Sequence, residues 1–160
     1  MPMEKIDLSG CTSLQNFQVA GCGSLTTLDF SNCPNINLMK ASDSTKLTSL
    51  TVSGCTNLET LNVSGCTTLP TLDCSSCTSL TTISGNNLYA LTDFNVSGCT
   101  MLSSVTLAGT NNISTADVTG AGSALAEGTT LTFTVTSDTT TASTLLGATG
   151  WDSTIMSITN

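Results

Sequence analysis

Eight cysteines and no histidine set the chemical repertoire of this chain. Thiols can pair as disulfides, hold a soft metal or act as nucleophiles, and each use demands its own spacing. Here Cys11, Cys33, Cys55, Cys77 and Cys99 recur every 22 residues, Cys22 and Cys66 fall midway between them, and Cys74 stands where other repeats carry an aliphatic residue. A periodic line makes a poor zinc site, because zinc takes four convergent ligands and no imidazole is present to help. Stacked neighbours about 4.8 Å apart lie within disulfide range, but in-register side chains point the same way. The expected reading is a structural ladder of buried thiols at Cys11, Cys33, Cys55, Cys77 and Cys99, each donating weakly to a neighbouring carbonyl. One or two disulfides, or a metal, are the competing readings.

Carboxylates form a second column at Asp7, Asp29, Asp73 and Asp117, interrupted by Thr51 and Asn95. Neighbouring acids could share a calcium ion through oxygen ligands, although a solvated structural role is the simpler expectation, so neither metal nor cofactor is assigned. Catalysis has little to draw on. The commonest general base is missing, and no phosphate-binding glycine loop, nucleophile elbow or Cys/His dyad can be drawn. A non-enzyme is expected. The formal charge of −8, with only three basic residues, leaves no stripe to displace counterions from phosphates. Nucleic acid and anionic membranes are therefore poor partners, and no apolar run approaches the roughly 20 residues that span a bilayer.

These residues sit in a repeat of eleven, which must supply the elements that position them. The unit reads Leu-x-x-Leu-x-Val-Ser-Gly-Cys-Thr-x, as in Leu47 to Asn57. Its x-Leu-x-Val portion alternates like a short half-buried strand, and Ser-Gly supplies a turn. Only 9% of residues are charged while 39% are apolar and regularly placed, so the columns can bury a continuous core. Eleven residues are too few for one closed coil. Pairing the units gives a period of 22 with two chemically different halves, the odd half carrying Asp, Thr or Asn where the even half varies.

The segment Leu14-x-x-Phe17-x-Val19-x-x-Cys22-x-x-Leu25 resembles the leucine-rich repeat, and the short cysteine-bearing units are most similar to bacterial surface proteins of internalin type. The resemblance implies a β-rich, right-handed solenoid of about five 22-residue coils over 3–123. Residues 124–160 are expected to form a strand–helix–strand cap on the last coil: a strand over Thr130 to Thr136, a helix capped by Asp138 with Ala142, Leu145, Leu146 and Thr149 inward, and a final strand with Ile155, Met156 and Ile158. Ala148-Thr149-Gly150-Trp151 looks like the Ala-Thr-Gly-Trp element that ends many such domains. The family also implies an extracellular or cell-surface setting. The chain shows no signal peptide, and its first repeat lacks a polar cap, so the expectation is either a piece of a longer protein or a chain whose leader has been removed.

Recognition needs side chains that change from repeat to repeat. By that criterion the even units carry the surface, with Gln18, Lys40, Glu59, Asn62, Thr82, Ser84 and Tyr89 as ligand-binding candidates. The expected function is non-catalytic binding of a protein or glycan on a surface. A structural spacer or stalk of a larger bacterial or phage protein is the alternative. Ice binding through threonine arrays is a remoter one, since Gln15, Asn16, Lys40, Glu59 and Asn62 interrupt any single Thr-x-Thr plane.

Overall fold

A computed structural model describes residues 2–110, 112–126, 131–135, 139–151, 153 and 156–159. Each eleven-residue unit forms one three-residue strand. Odd units give β1 (Lys5–Asp7), β3 (Thr27–Asp29), β5 (Ser49–Thr51), β7 (Thr71–Asp73), β9 (Asp93–Asn95) and β11 (Thr115–Asp117). Even units give β2 (Asn16–Gln18), β4 (Leu38–Lys40), β6 (Thr60–Asn62), β8 (Thr82–Ser84) and β10 (Ser104–Thr106). The tail adds β12 (Leu131–Thr134), α1 (Thr139–Leu146) and β13 (Met156–Thr159).

Pairing is parallel throughout; among β1 to β11 it advances by 22 residues, as in Ile6 opposite Leu28 and Met39 opposite Leu61, and the tail departs from that step, with Ser104 opposite Thr132 and Leu131 opposite Met156. The chain is thus a parallel β-solenoid of about six turns, one more than the expected five. The middle residue of each strand points inward and its neighbours outward, as period-two geometry requires. Leu28, Leu72 and Phe94 of one wall share a single core with Met39, Leu61, Ile83 and Val105 of the other. Between the walls the chain turns sharply at a left-handed residue. Glycine fills most of these positions, and Asn32, Asp43 and Asn87 adopt the same positive φ. At Gly65 a side chain would meet backbone of Asp43 at 3.2 Å, so close stacking adds a second reason for glycine.

The even wall is one sheet of seven strands, ordered β2-β4-β6-β8-β10-β12-β13. The odd wall is two sheets, β1-β3-β5 and β7-β9-β11, with no ladder between β5 and β7. The tail therefore does more than cover the last coil, because β12 and β13 add two rungs to the even wall. The helix α1 bridges them and places Thr141 and Thr144 hydroxyls on the carbonyls of Thr110 and Ile113, at 2.7 and 3.0 Å. Trp151 packs on Phe133, which in turn meets Phe94 edge-on. The inner face of α1 departs from expectation. Thr141 and Leu145 are buried, whereas Leu146 is exposed and Thr149, beyond the helix end, pairs with Asp117. Thr130, Thr136, Asp138 and Ile155 lie outside the described residues.

Candidate functional site

The thiols occupy the turns that follow the strands, and all eight are free. Cys33, Cys55 and Cys99 aim at carbonyls of the preceding coil, those of Leu8, Phe30 and Cys74, at 3.0, 3.2 and 3.1 Å. On the opposite corner Cys66 does the same with Ala41 at 3.0 Å, and Thr110 substitutes a hydroxyl, donating to Gly85 at 3.0 Å. The ladder is thus a column of S–H donors that satisfy carbonyls where the strand ladder ends. Cys11 belongs to the first coil of the structure and is exposed. Ser44 holds a rung of the second column, and its buried hydroxyl has no partner among the described residues. Burial pushes the Cys55 and Cys99 thiols up to about 12 and Cys66 to about 11, so they stay protonated and unreactive at neutral pH.

The odd-wall carboxylates also have partners. Asp7, Asp29, Asp73 and Asp117 each accept the backbone N–H two residues on, at 2.8 to 3.0 Å. Asn95 and, on the even wall, Asn62 do the same with amide oxygens. Such Asx turns hold the bend between strand and corner. Thr119, through backbone and hydroxyl, lowers the Asp117 carboxyl below its ordinary range, and the Ser9 hydroxyl and amide do so for Asp7. A shallow depression of about 280 Å³ runs over β7, β9 and β11 beside Asp73, Asp93 and Asp117. One oxygen each of Asp73 and Asp117 is already engaged in a turn, and Asp93 accepts from the hydroxyls of Thr92 and Thr115. Among the described residues no three Cys, Asp or Glu side chains are grouped to hold a metal ion.

The candidate contact residues fall largely on one surface. Gln18, Lys40, Asn62 and Ser84 stand side by side on four consecutive even strands, with Thr106 next in line. Thr82 belongs to the parallel row Asn16, Leu38, Thr60, Thr82 and Ser104, two residues earlier in each strand. Glu59 is exposed just before β6, where its carbonyl accepts the Thr81 N–H at 2.9 Å. Tyr89 is not brought to this sheet. It stands half exposed (51%) in the turn after β8, on the corner leading to the odd wall.

The sequence reading missed the break between β5 and β7. In neighbouring odd units the residue before the strand donates its N–H one coil back, as Thr48 does to Thr26 at 3.0 Å and Thr92 to Pro70 at 2.9 Å. Pro70 has no N–H, so its own link to Thr48 cannot form. The departure continues along the coil. Thr51 replaces the Asx-turn carboxylate, and Ser76 alone in its column lacks the positive φ. Gly54 N–H therefore finds the Ser76 hydroxyl, at 3.1 Å, where equivalent turns bond backbone to backbone. The result is a second depression, of about 270 Å³, between Leu50–Ser53 and Asp73, Ser75 and Ser76. Proline just before β7, where the rung needs an N–H, is the signal, and it becomes readable once the register is known.

Fold and surface together define a class: a parallel β-solenoid with a 22-residue coil, one continuous wall and one divided wall. No family model matches the chain, and neither does any curated protein or solved structure.

Proposed function

We propose that this chain is a non-catalytic recognition module of leucine-rich-repeat type that binds a protein or glycan through its even wall, in an extracellular or cell-surface setting. The observation that carries the reading is the contrast between outward rows. On the odd wall the polar column repeats, and its side chains are consumed in turns. On the even wall the row Gln18, Lys40 and Asn62 changes character at every rung of an unbroken sheet, and of the three only Asn62 gives its amide oxygen to a turn. Parallel strands hold these side chains about 4.8 Å apart on a rigid base, which suits repeated contacts to an extended ligand. Lys40 brings the row's one cation, with the apolar Leu38 beside it on the same strand. Amide and hydroxyl groups around them can pair with sugar hydroxyls or peptide groups.

The test is a glycan and surface-protein binding screen with the intact chain, followed by a Lys40→Ala, Asn62→Ala double variant and a separate Tyr89→Ala variant. The double variant should weaken a captured ligand at least tenfold, about 1.4 kcal/mol. Tyr89→Ala should matter only if the ligand wraps the corner. Unchanged binding by the double variant removes the even wall from the site.

One observation favours a second reading. From β8 onward the outward pairs are Thr82 and Ser84, Ser104 and Thr106, then Thr132 and Thr134, two hydroxyl columns in register over three rungs. The interruptions by Asn16, Lys40 and Asn62 are confined to the first half of the wall. A flat hydroxyl array of this kind supports ice binding, which thermal hysteresis would detect directly and whose absence at high protein concentration would end that reading.

A further inference from the structure

We propose that Cys74 and Cys77 form a redox-active dithiol, oxidised to an intramolecular disulfide by a small organic disulfide that reaches them through the divided odd wall. The proposal is independent of what the even wall binds.

Three observations converge on this pair. Position 74 belongs to an inward column otherwise filled by residues such as Val52, Val63 and Val96, so the repeat that carries β7 is alone in having two inward cysteines three residues apart. They bracket the Ser75–Ser76 turn, closed by the Cys77 N–H on the Cys74 carbonyl at 2.9 Å. Four-residue turns bring their end Cα atoms within about 7 Å, the range a disulfide spans. Both side chains point into the same core. Unlike the in-register thiols of successive coils, these two face each other across one turn.

Cys77 is also the loosest rung of the ladder. Its sulfur lies 3.7 Å from the Val52 carbonyl, against 3.0 to 3.2 Å at Cys33, Cys55, Cys66 and Cys99. The pair of thiols interacts instead. A hydrogen bond from Cys74 favours the Cys77 thiolate, and the same bond, with burial, holds Cys74 protonated. Cys77, whose sulfur faces the carbonyl of Val52 at the edge of the depression, is the attacking sulfur.

Access follows from the break. Ser75 and Ser76 line the depression over β5 and β7, and Val52, whose carbonyl faces Cys77, lines its other side. The ladder bonds that close the wall elsewhere are missing here, so local opening costs less at this point than at any intact rung. In the reaction the Cys77 thiolate attacks one sulfur of the small disulfide and releases one thiolate. Cys74 then loses its proton to solvent and attacks the Cys77 sulfur, and a second thiolate leaves. The protein gives up two electrons and two protons, and the small disulfide is reduced to two thiols.

The intact reduced chain is incubated with oxidised glutathione, quenched in acid, and its thiols are titrated in denaturant. The titre should fall from the eight cysteines of the sequence to six, with a mass loss of two hydrogens. Peptic digestion without reductant should recover Cys74 and Cys77 in one bridged peptide. Cys74→Val, which restores the column's common residue, removes the resolving sulfur, so its reaction should stop at a glutathione adduct on Cys77 with no bridge. In the parent chain, eight free thiols after incubation, a glutathione adduct that persists on Cys77, or a bridge between other cysteines would each overturn the assignment.

Discussion

The two walls are built from nearly the same eleven residues, yet one runs unbroken through seven strands while the other divides after three. The difference lies in a few positions of one coil. On the even wall each rung passes a backbone hydrogen bond to the next, for example Val63 N–H to the Ser84 carbonyl at 2.8 Å. On the odd wall that relay fails where Pro70, Thr51 and Ser76 replace threonine, aspartate and a left-handed residue. A solenoid's stability is nearly a sum of coil and interface contributions, so a weak interface stays local and does not unfold the stack. The divided wall still shares its core with the continuous one.

Core truncation gives the largest expected contrast. Leu61 is fully buried between β4 and β8, whereas Leu50, at the divided edge, is only half-buried. Leu61→Ala should cost about 3 kcal/mol and Leu50→Ala about 1 kcal/mol, read from urea unfolding midpoints. Equal costs would mean that the odd wall closes in solution.

Alkaline stability is the next measure, and it separates the two corners. A thiol raised in the folded state contributes stability that is complete below its unfolded value, near 9.0, and is lost as pH climbs toward the folded value. For Cys55 and Cys99 that window runs from 9.0 to about 12. Three of the four thiols raised chiefly by burial line the odd-unit corner, Cys33, Cys55 and Cys99; Cys66 is on the other. Cys99→Thr, which copies the native Thr110 rung, should flatten the fall in unfolding midpoint above pH 9.0 while changing little at neutral pH. An unchanged alkaline slope would detach the thiols from the effect.

A smaller effect, but a more local one, comes from the break itself. Amide exchange at Val52 should be at least about tenfold faster than at its even-wall counterpart Val63, because only the latter N–H is held by the next coil. Pro70→Thr supplies the missing donor, worth about 1 kcal/mol as a net hydrogen bond. Loss of proline's restraint on the unfolded chain offsets much of that, by about 0.4–1 kcal/mol. Global stability should therefore barely move, while protection at Val52 rises toward that of Val63. If exchange at Val52 is slow already, the wall is not divided.

Much of this was legible in the sequence because period and polarity act together. Leu28, Leu50 and Leu72 recur at 22 residues, and only a stacked coil buries them all, so the paired halves and the inward columns could be read directly. The thiols were legible as a ladder for the same reason. What escaped depends on single hydrogen bonds that no column records. Pro70 reads as an ordinary turn residue until its place in the rung is known, and Cys74 reads as a small hydrophobe until Cys77 is seen across its turn. Leu146 satisfies helical spacing but lies at the end of α1, where no coil remains to cover it. Tyr89 belongs to an even unit by register, yet the turn carries it to a corner.

Acid brings out the smallest difference between the walls. Asn62 holds its even-wall turn with an uncharged amide, whereas Asp7 and Asp117 hold odd-wall turns with carboxylates lowered by Ser9 and Thr119. A carboxyl lowered in the folded state contributes stability that is present above its unfolded value, near 3.8, and is lost as pH falls through the folded one. The odd wall should accordingly loosen first below that value. Asp117→Asn keeps an oxygen for the Thr119 N–H and removes the proton linkage, as Asn95 already does one coil earlier. Thermal midpoints of parent and variant should match at neutral pH, and the parent should fall more steeply in acid. Parallel acid slopes would show that the Asp117 turn is open in solution, and the contrast would then rest on the backbone break alone.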